Sequence, residues 1–263
     1  MLRSVLLAVV VAAVSGTAAN AAVKTKVVTY TYDGTTLKGF LAWDDSIKGQ
    51  RPGILLVHEF WGLNDYARKR AEELAKLGYV AFACDMYGEG KTTEHPKEAG
   101  KFAGEVRMNL KTWQGRATAG LKVLQDNELV DGQNLAAIGY CFGGSTALQL
   151  AYTGAPVKAV ATFHAALPAP TPEQAKAIKA KVLICHGADD TFIPKDAIAK
   201  FRAALDAAKV DYKFISYPGT VHSFTVPGAE KVGVEGLRYN EAADRDSWMQ
   251  MQTLFRAVFT SKK

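Results

Sequence analysis

Three side chains that could together move a proton and an electron pair stand far apart in this sequence: Cys141, Asp190 and His222. Cys141 sits in Gly139-Tyr140-Cys141-Phe142-Gly143-Gly144, between the apolar run 135–139 and the helix-period segment 145–152. This is the G-x-S-x-G nucleophile elbow with sulfur in place of the hydroxyl. A strand that turns at once into a helix thrusts the middle residue into the open, and side chains at the flanking Gly139 and Gly143 would collide. The positive end of the following helix favours a thiolate, and the Phe142 N–H can stabilise an oxyanion. A glycine-rich turn that merely packs a helix against a strand is the alternative for this motif taken alone.

Two further strand ends carry the remaining groups. Asp189 and Asp190 follow the run 181–185, and His222 lies in Tyr217-Pro218-Gly219-Thr220-Val221-His222-Ser223-Phe224, beyond the run 213–217. A helix cap would account for Asp190 alone and a polar loop residue for His222 alone. The order nucleophile, acid, histidine, each just after a strand, points instead to a catalytic triad. Asp189 is the second candidate for the acid. The run 53–57 ends in His58-Glu59-Phe60-Trp61-Gly62, which puts a carboxylate near the thiol. Such a base can hold the thiol proton until substrate arrives, whereas a solvated loop carboxylate would have no such role.

The elements that must position these groups are read from periodicity. Segments 27–32 and 36–42 alternate as strands around Asp33-Gly34, a hairpin-turn signal. Short apolar runs then follow at 53–57, 79–84, 135–139, 157–163, 181–185 and 213–217. Helical periods at 66–77, 116–125, 145–152 and 195–209 separate most of them, and a terminal helix is expected within 240–259. This alternation predicts an α/β fold, a mostly parallel sheet with helices on both faces, in which ligands bind at the carboxyl ends of the strands. The connection 88–115 is long and is expected to carry helical pieces over the site. His164 also falls at the binding edge, in a structural or substrate-lining role. Tyr87 and Trp113 are candidates for the pocket wall or for the core, and His95 reads as a surface loop residue.

At 263 residues with 48% hydrophobic and 22% charged, the chain is long enough to bury one core without a disulfide or metal. The net charge of +6 comes from scattered basic residues rather than a run, which argues for small, acidic substrates and against nucleic acid. No Cys, Asp or Glu stands at metal-ligand spacing to His164, so neither a metal nor another cofactor is expected. The three cysteines are an odd number. Cys84 and Cys185 lie in strand-like runs, where cysteine is an inert small hydrophobe.

The blocks His58-Glu59-Phe60-Trp61-Gly62-Leu63-Asn64, Cys84-Asp85-Met86-Tyr87-Gly88, Gly139-Tyr140-Cys141-Phe142-Gly143-Gly144 and His222-Ser223-Phe224 resemble the dienelactone hydrolase family, from about residue 25 to the C-terminus. The resemblance implies an α/β-hydrolase sheet of eight strands and a Cys-Asp-His triad carried by Cys141, Asp190 and His222. It further implies that Glu59 hydrogen-bonds the nucleophile and that the Phe60 and Phe142 N–H groups form the oxyanion hole. The family's reaction, opening of an enol-lactone without a metal, makes a lactone or activated ester the expected substrate. A general carboxylesterase or thioesterase is the alternative, and a non-catalytic thiol or binding protein a third. The family's arginine just beyond the histidine is replaced here by Ser223-Phe224-Thr225, leaving Arg107 or Arg116 to hold a substrate carboxylate.

The first residues read separately. Arg3, the apolar run 5–14 and Ala19-Asn20-Ala21 form a secretory signal over 1–21, ahead of a single domain at 22–263. An uncleaved anchor is the alternative. The mature protein is expected to be periplasmic or secreted, free of the membrane, and a monomer or small homo-oligomer. N-terminal sequencing of the native protein should begin near Ala22; recovery of Met1 would contradict export by cleavage.

Overall fold

The computed structural model describes residues 23–259, so the expected signal segment lies outside the described residues. Strands β1 (Val23–Tyr32) and β2 (Thr35–Asp44) form the hairpin, paired from Tyr32 opposite Thr35 to Val23 opposite Asp44. The two loop residues have φ of 47° at Asp33 and 74° at Gly34, the double left-handed turn whose twist matches the flanking strands. Then come β3 (Arg51–Val57), α1 (Asp65–Lys76), β4 (Val80–Cys84), α2 (Pro96–Arg107), α3 (Leu110–Gln125), β5 (Val130–Tyr140) and α4 (Phe142–Tyr152). The second half adds β6 (Ala159–Phe163), α5 (Pro172–Ala177), β7 (Lys181–Gly187), α6 (Lys195–Ala207), β8 (Tyr212–Tyr217) and α7 (Glu241–Val258).

All eight strands form one sheet in the order β1-β2-β4-β3-β5-β6-β7-β8, and β2 alone runs against the others. This is the α/β-hydrolase architecture. Alternate strand residues face opposite cores. Leu55 and Val57 pack with α2, α3, α4 and α6, while Ile54 and Leu56 pack with α1 and α7. Both faces are therefore covered, and β4 is buried at every residue, as its unbroken apolar run requires.

Several boundaries differ from the sequence reading. The 88–115 connection holds all of α2 and the start of α3, which begins at Leu110 rather than near residue 116. Asn109 caps it by accepting the Thr112 N–H at 3.0 Å. Glycines at 115 and 120 hide this helix from a propensity reading. They are there for space, because a Cβ on Gly120 would lie 2.7 Å from the Cys84 Cβ. The short α5 was not expected, although its capping box of Thr171 and Gln174 with Pro172 at the first turn is a readable start signal.

Helices α1 and α7 are tied together by Arg70. Its guanidinium donates to Asp244, to Glu73 at 3.0 Å, to the Thr225 carbonyl at 3.0 Å and, through Nε, to the Tyr66 hydroxyl at 3.2 Å. The Trp248 ring covers it at 5.1 Å. Removing a cation buried among its partners leaves carboxylates uncompensated. Arg70→Met is expected to lose about 3–5 kcal/mol in urea unfolding; a loss below about 1 kcal/mol, the surface-pair range, would show that this network does not hold the two helices.

Candidate active site

The elbow is made by close packing. β5 ends at Tyr140 and α4 begins at Phe142, so Cys141 alone turns the chain, at φ 51° and ψ −115°. Such backbone costs on the order of 1–3 kcal/mol for a residue with a side chain. It is held by the Cys141 N–H on the Phe163 carbonyl at 2.9 Å and by the Gly144 N–H on the Cys141 carbonyl at 3.1 Å. A Cβ on Gly139 would lie 2.0 Å from the Gly143 oxygen, and one on Gly143 2.2 Å from the Val57 oxygen. The second contact seats the elbow on the carboxyl end of β3.

The three groups separated in sequence meet here. His222 Nδ1 lies 2.7 Å from Asp190 Oδ2, and His222 Nε2 lies 3.2 Å from Cys141 Sγ. The other Asp190 oxygen accepts the Phe192 N–H at 2.9 Å, which fixes the carboxylate. Asp189 is exposed and takes no part, and α6 is capped by Pro194, not by Asp190. Burial opposes a charge on His222, but the Cys141 sulfur and the Asp190 carboxylate outweigh it and raise the imidazole to about 10. The other two cysteines are free and fully buried; burial pushes the Cys84 thiol well up and the Cys185 thiol up to about 12.

Glu59 is only 3% exposed. Burial pushes its carboxyl up to about 7, against the opposing pull of His222, the Ser223 hydroxyl and Arg70. The expected hydrogen bond from the thiol to Glu59 is not made among the described residues. The sulfur turns to His222, and Glu59 Oε1 accepts the Ser223 hydroxyl at 3.3 Å instead. A buried carboxyl must find a donor, and Ser223, the residue just beyond His222, supplies one.

The peptide between Glu59 and Phe60 is oriented by a residue that sequence reasoning passed over. His58 Nε2 accepts the Met86 N–H at 3.2 Å, so its ring proton is on Nδ1, which donates to the Glu59 carbonyl at 2.5 Å. The Gly62 N–H reaches the same oxygen at 3.2 Å. In a trans peptide the N–H points opposite its carbonyl, so anchoring that oxygen aims the Phe60 N–H. Burial keeps His58 neutral by lowering its pKa. The Phe142 N–H occupies the first turn of α4, where an α-helix leaves it without an intrahelical acceptor.

Cys141 and His222 open into a cleft of about 290 Å³ with Phe60, Arg107, Phe192 and Leu237. Arg107 comes from α2, which lies over the site as expected for this connection, and its guanidinium stands 5.2 Å from the Phe142 ring centre. Arg116 does not reach the cleft; it donates to the Met86 carbonyl at 2.7 Å and faces a separate pocket. A larger groove, about 850 Å³, borders Glu59 but not Cys141.

Two pocket candidates are corrected. Trp113 is core, its indole N–H on Thr146 Oγ1 at 2.7 Å and its ring stacked on Phe142. Tyr87 is buried too and acts from behind, its hydroxyl donating to the Phe60 carbonyl at 3.0 Å. These two rings fill the space under the site, where a large side chain buries the most apolar area. His164 is fully buried behind His222, ring centres 5.2 Å apart, and does not line the cleft. His95 is exposed at the start of α2. Among the described residues no cluster of three or more His, Cys, Asp or Glu is arranged to hold a metal ion.

Comparison with known proteins finds that the model of the dienelactone hydrolase family matches residues 37–259. A solved structure known as m3DLH is 39% identical, with a TM-score of 0.88 over 90% of this chain and 99% of the other. A dienelactone hydrolase-like promiscuous phosphotriesterase from metagenomic libraries is 37% identical, with a TM-score of 0.89 over 92% of this chain and all, 100%, of the other. A Synechocystis protein provisionally named a carboxymethylenebutenolidase is 28% identical over 257 residues, 89% of this chain and 97% of its own.

The Glu59 environment has a consequence for stability. Its folded pKa of about 7 lies above the ordinary value of 4.5. Folding therefore favours the neutral acid, and its contribution is full below about pH 4.5 and is lost as pH rises through about 7. Glu59→Gln, which cannot ionise, should gain on wild type as pH rises, by up to about 3 kcal/mol at pH 8, with the gap closing toward pH 4.5. Denaturant unfolding at several pH values measures this, and a pH-independent gap would contradict it.

Proposed function

Because this chain belongs to the dienelactone hydrolase family, whose members are hydrolases, we propose that it hydrolyses lactones or activated esters through Cys141, His222 and Asp190. The observation that carries the reading is the hydrogen-bonded line from Asp190 through His222 to a thiol opening into a cleft. His222, held by Asp190, takes the thiol proton, and the sulfur forms a bond to the carbonyl carbon. The carbonyl electron pair moves onto oxygen, where the Phe60 and Phe142 N–H groups receive it. Collapse of this adduct breaks the ring or ester C–O bond, and the leaving oxygen takes the proton from His222. Water then attacks the thioester with its proton passing to His222, and the acid leaves as the Cys141 thiolate re-forms.

Substrate choice follows from the cleft. A thiolate expels enolates and phenolates readily and amines poorly, so lactones and activated esters suit it better than amides. Arg107 gives the cleft a cation, which favours substrates that carry a carboxylate, such as an enol-lactone acid. Parallel assays with an enol-lactone carboxylate, a p-nitrophenyl ester and an acyl thioester separate this reading from a general carboxylesterase or thioesterase. A phosphotriester belongs beside them, since one relative is described as a promiscuous phosphotriesterase.

The enol-lactone should give the highest kcat/KM, and Arg107→Ala should lower that value mainly through KM. Cys141→Ala should lose at least about a thousandfold, and Asp190→Asn about 10²–10⁴-fold, on every substrate. Cys84→Ala and Cys185→Ala should remain active. Full activity in Cys141→Ala would overturn the assignment, and a uniform preference for the thioester would overturn the substrate class.

A further inference from the structure

Behind the cleft lies a buried polar chain that the proposed reaction does not use. Arg70 Nε donates to the Tyr66 hydroxyl at 3.2 Å, that hydroxyl lies 2.7 Å from Thr225 Oγ1, and Thr225 Oγ1 lies 2.8 Å from His164 Nε2. The far side of the same ring, His164 Nδ1, has no hydrogen-bond partner, is fully buried and stands 3.9 Å from Glu59 Oε1. The backbone of His164 is itself held at φ 41°, with its N–H on the Cys185 carbonyl at 2.9 Å. A strained residue aiming an unpaired polar atom at a buried carboxyl calls for an explanation.

The chain has a direction. A guanidinium can only donate, so the Tyr66 oxygen is an acceptor toward Arg70 and its own proton goes to Thr225. The Thr225 hydroxyl, having accepted that bond, gives its proton to His164 Nε2. The neutral imidazole must then carry its hydrogen on Nδ1, facing Glu59. The reverse direction would leave the Tyr66 proton without an acceptor and set a bare nitrogen lone pair against a carboxylate. Burial keeps His164 neutral by lowering its pKa well below the usual range, so it serves as a fixed dipole and not as an acid.

We propose that His164 is a positioning residue for Glu59: its Nδ1–H, held by the donor chain from Arg70, is the seat the carboxylate takes when it ionises. A movement of about 1 Å converts the 3.9 Å separation into a hydrogen bond of ordinary length. Seated there, the ionised carboxylate has a second donor beside the Ser223 hydroxyl while His222 keeps its bond to the sulfur. This rests on the reading of Cys141 and His222 as catalytic only for its purpose; the geometry stands without it. The titratable groups facing Glu59 are His164 after β6, His222 after β8, Tyr66 and Arg70 on α1, Tyr140 ending β5 and Tyr87 after β4. Among the described uncharged groups of this set, His164 Nδ1 and the Tyr140 hydroxyl are buried without a hydrogen-bond partner, and His164 Nδ1 is the one that stands 3.9 Å from the carboxyl oxygen.

The test is nuclear magnetic resonance on the full mature chain. With ¹⁵N-labelled histidine, His164 should be protonated on Nδ1 and bare on Nε2, and should stay neutral throughout the titration of Glu59. With ¹³C-labelled glutamate, the Glu59 carboxyl, identified by its absence in Glu59→Gln, should titrate near pH 7. His164→Gln keeps an amide where Nε2 meets Thr225 but removes the donor toward Glu59, and should raise that midpoint by about one pH unit. His164→Asn puts an amide N–H where Nδ1 stood and tolerates the positive φ, and should leave the midpoint near its wild-type value. A proton on Nε2 in the wild type, an unmoved midpoint in His164→Gln, or equal shifts in both variants would each overturn the proposal. The wild-type tautomer needs no variant to fold, and none of these readouts is turnover, so loss of the hydrolase reading would not mimic failure here.

Discussion

The site depends on one close approach, the elbow between β5 and α4 pressed onto the end of β3. There is no room for a side chain at Gly143, whose Cβ would meet the Val57 oxygen at 2.2 Å. That contact sets the loop His58-Glu59-Phe60 directly against Cys141. From it follow the two N–H groups available to an oxyanion, the burial of the Glu59 carboxyl and the width of the cleft. The same contact forces Cys141 into strained backbone, which persists because the packing around it leaves no other conformation. Parallel strands all end on this side of the sheet, so His222, Asp190 and His164 arrive at the same place from β8, β7 and β6.

The electrostatics around that contact are opposed. Asp190 and the sulfur favour a charge on His222, whereas burial resists a charge on Glu59. Near neutral pH the site therefore pairs a readily protonated imidazole with a carboxyl close to half ionised. His222, Ser223 and Arg70 are the means by which the fold accommodates a carboxyl that would otherwise be expelled from such a place.

Much of this was legible in the chain because the chemistry lies at strand ends, and buried parallel strands are the plainest pattern a sequence offers. The runs ending near residues 57, 139, 163, 185 and 217 locate Glu59, Cys141, His164, Asp190 and His222 before any coordinates are known. Direction was not legible. Nothing in the order of residues tells whether Tyr87 and Trp113 look into the cleft or beneath it, and both proved to lie beneath. Nor does sequence say which partner a buried group takes: Glu59 takes Ser223, and the thiol takes His222. Nothing in the sequence marks His58 beside Glu59, yet its ring sets the peptide that carries the Phe60 N–H. Such roles are fixed by tertiary hydrogen bonds between residues tens of positions apart, which leave no periodic trace. The glycines of α3 acted the same way, weakening its helical signal so that the sheet could approach.

The proposed reaction requires Cys141 to form a covalent thioester during turnover. Intact-mass analysis of the protein quenched in acid while it hydrolyses a slow p-nitrophenyl ester tests it most directly. One acyl group per chain is expected, carried on the peptide containing Cys141, removed by neutral hydroxylamine and absent from Cys141→Ala under the same conditions. Hydrolysis that proceeds at full rate with no acylated chain, or with the acyl group on another residue, would contradict it.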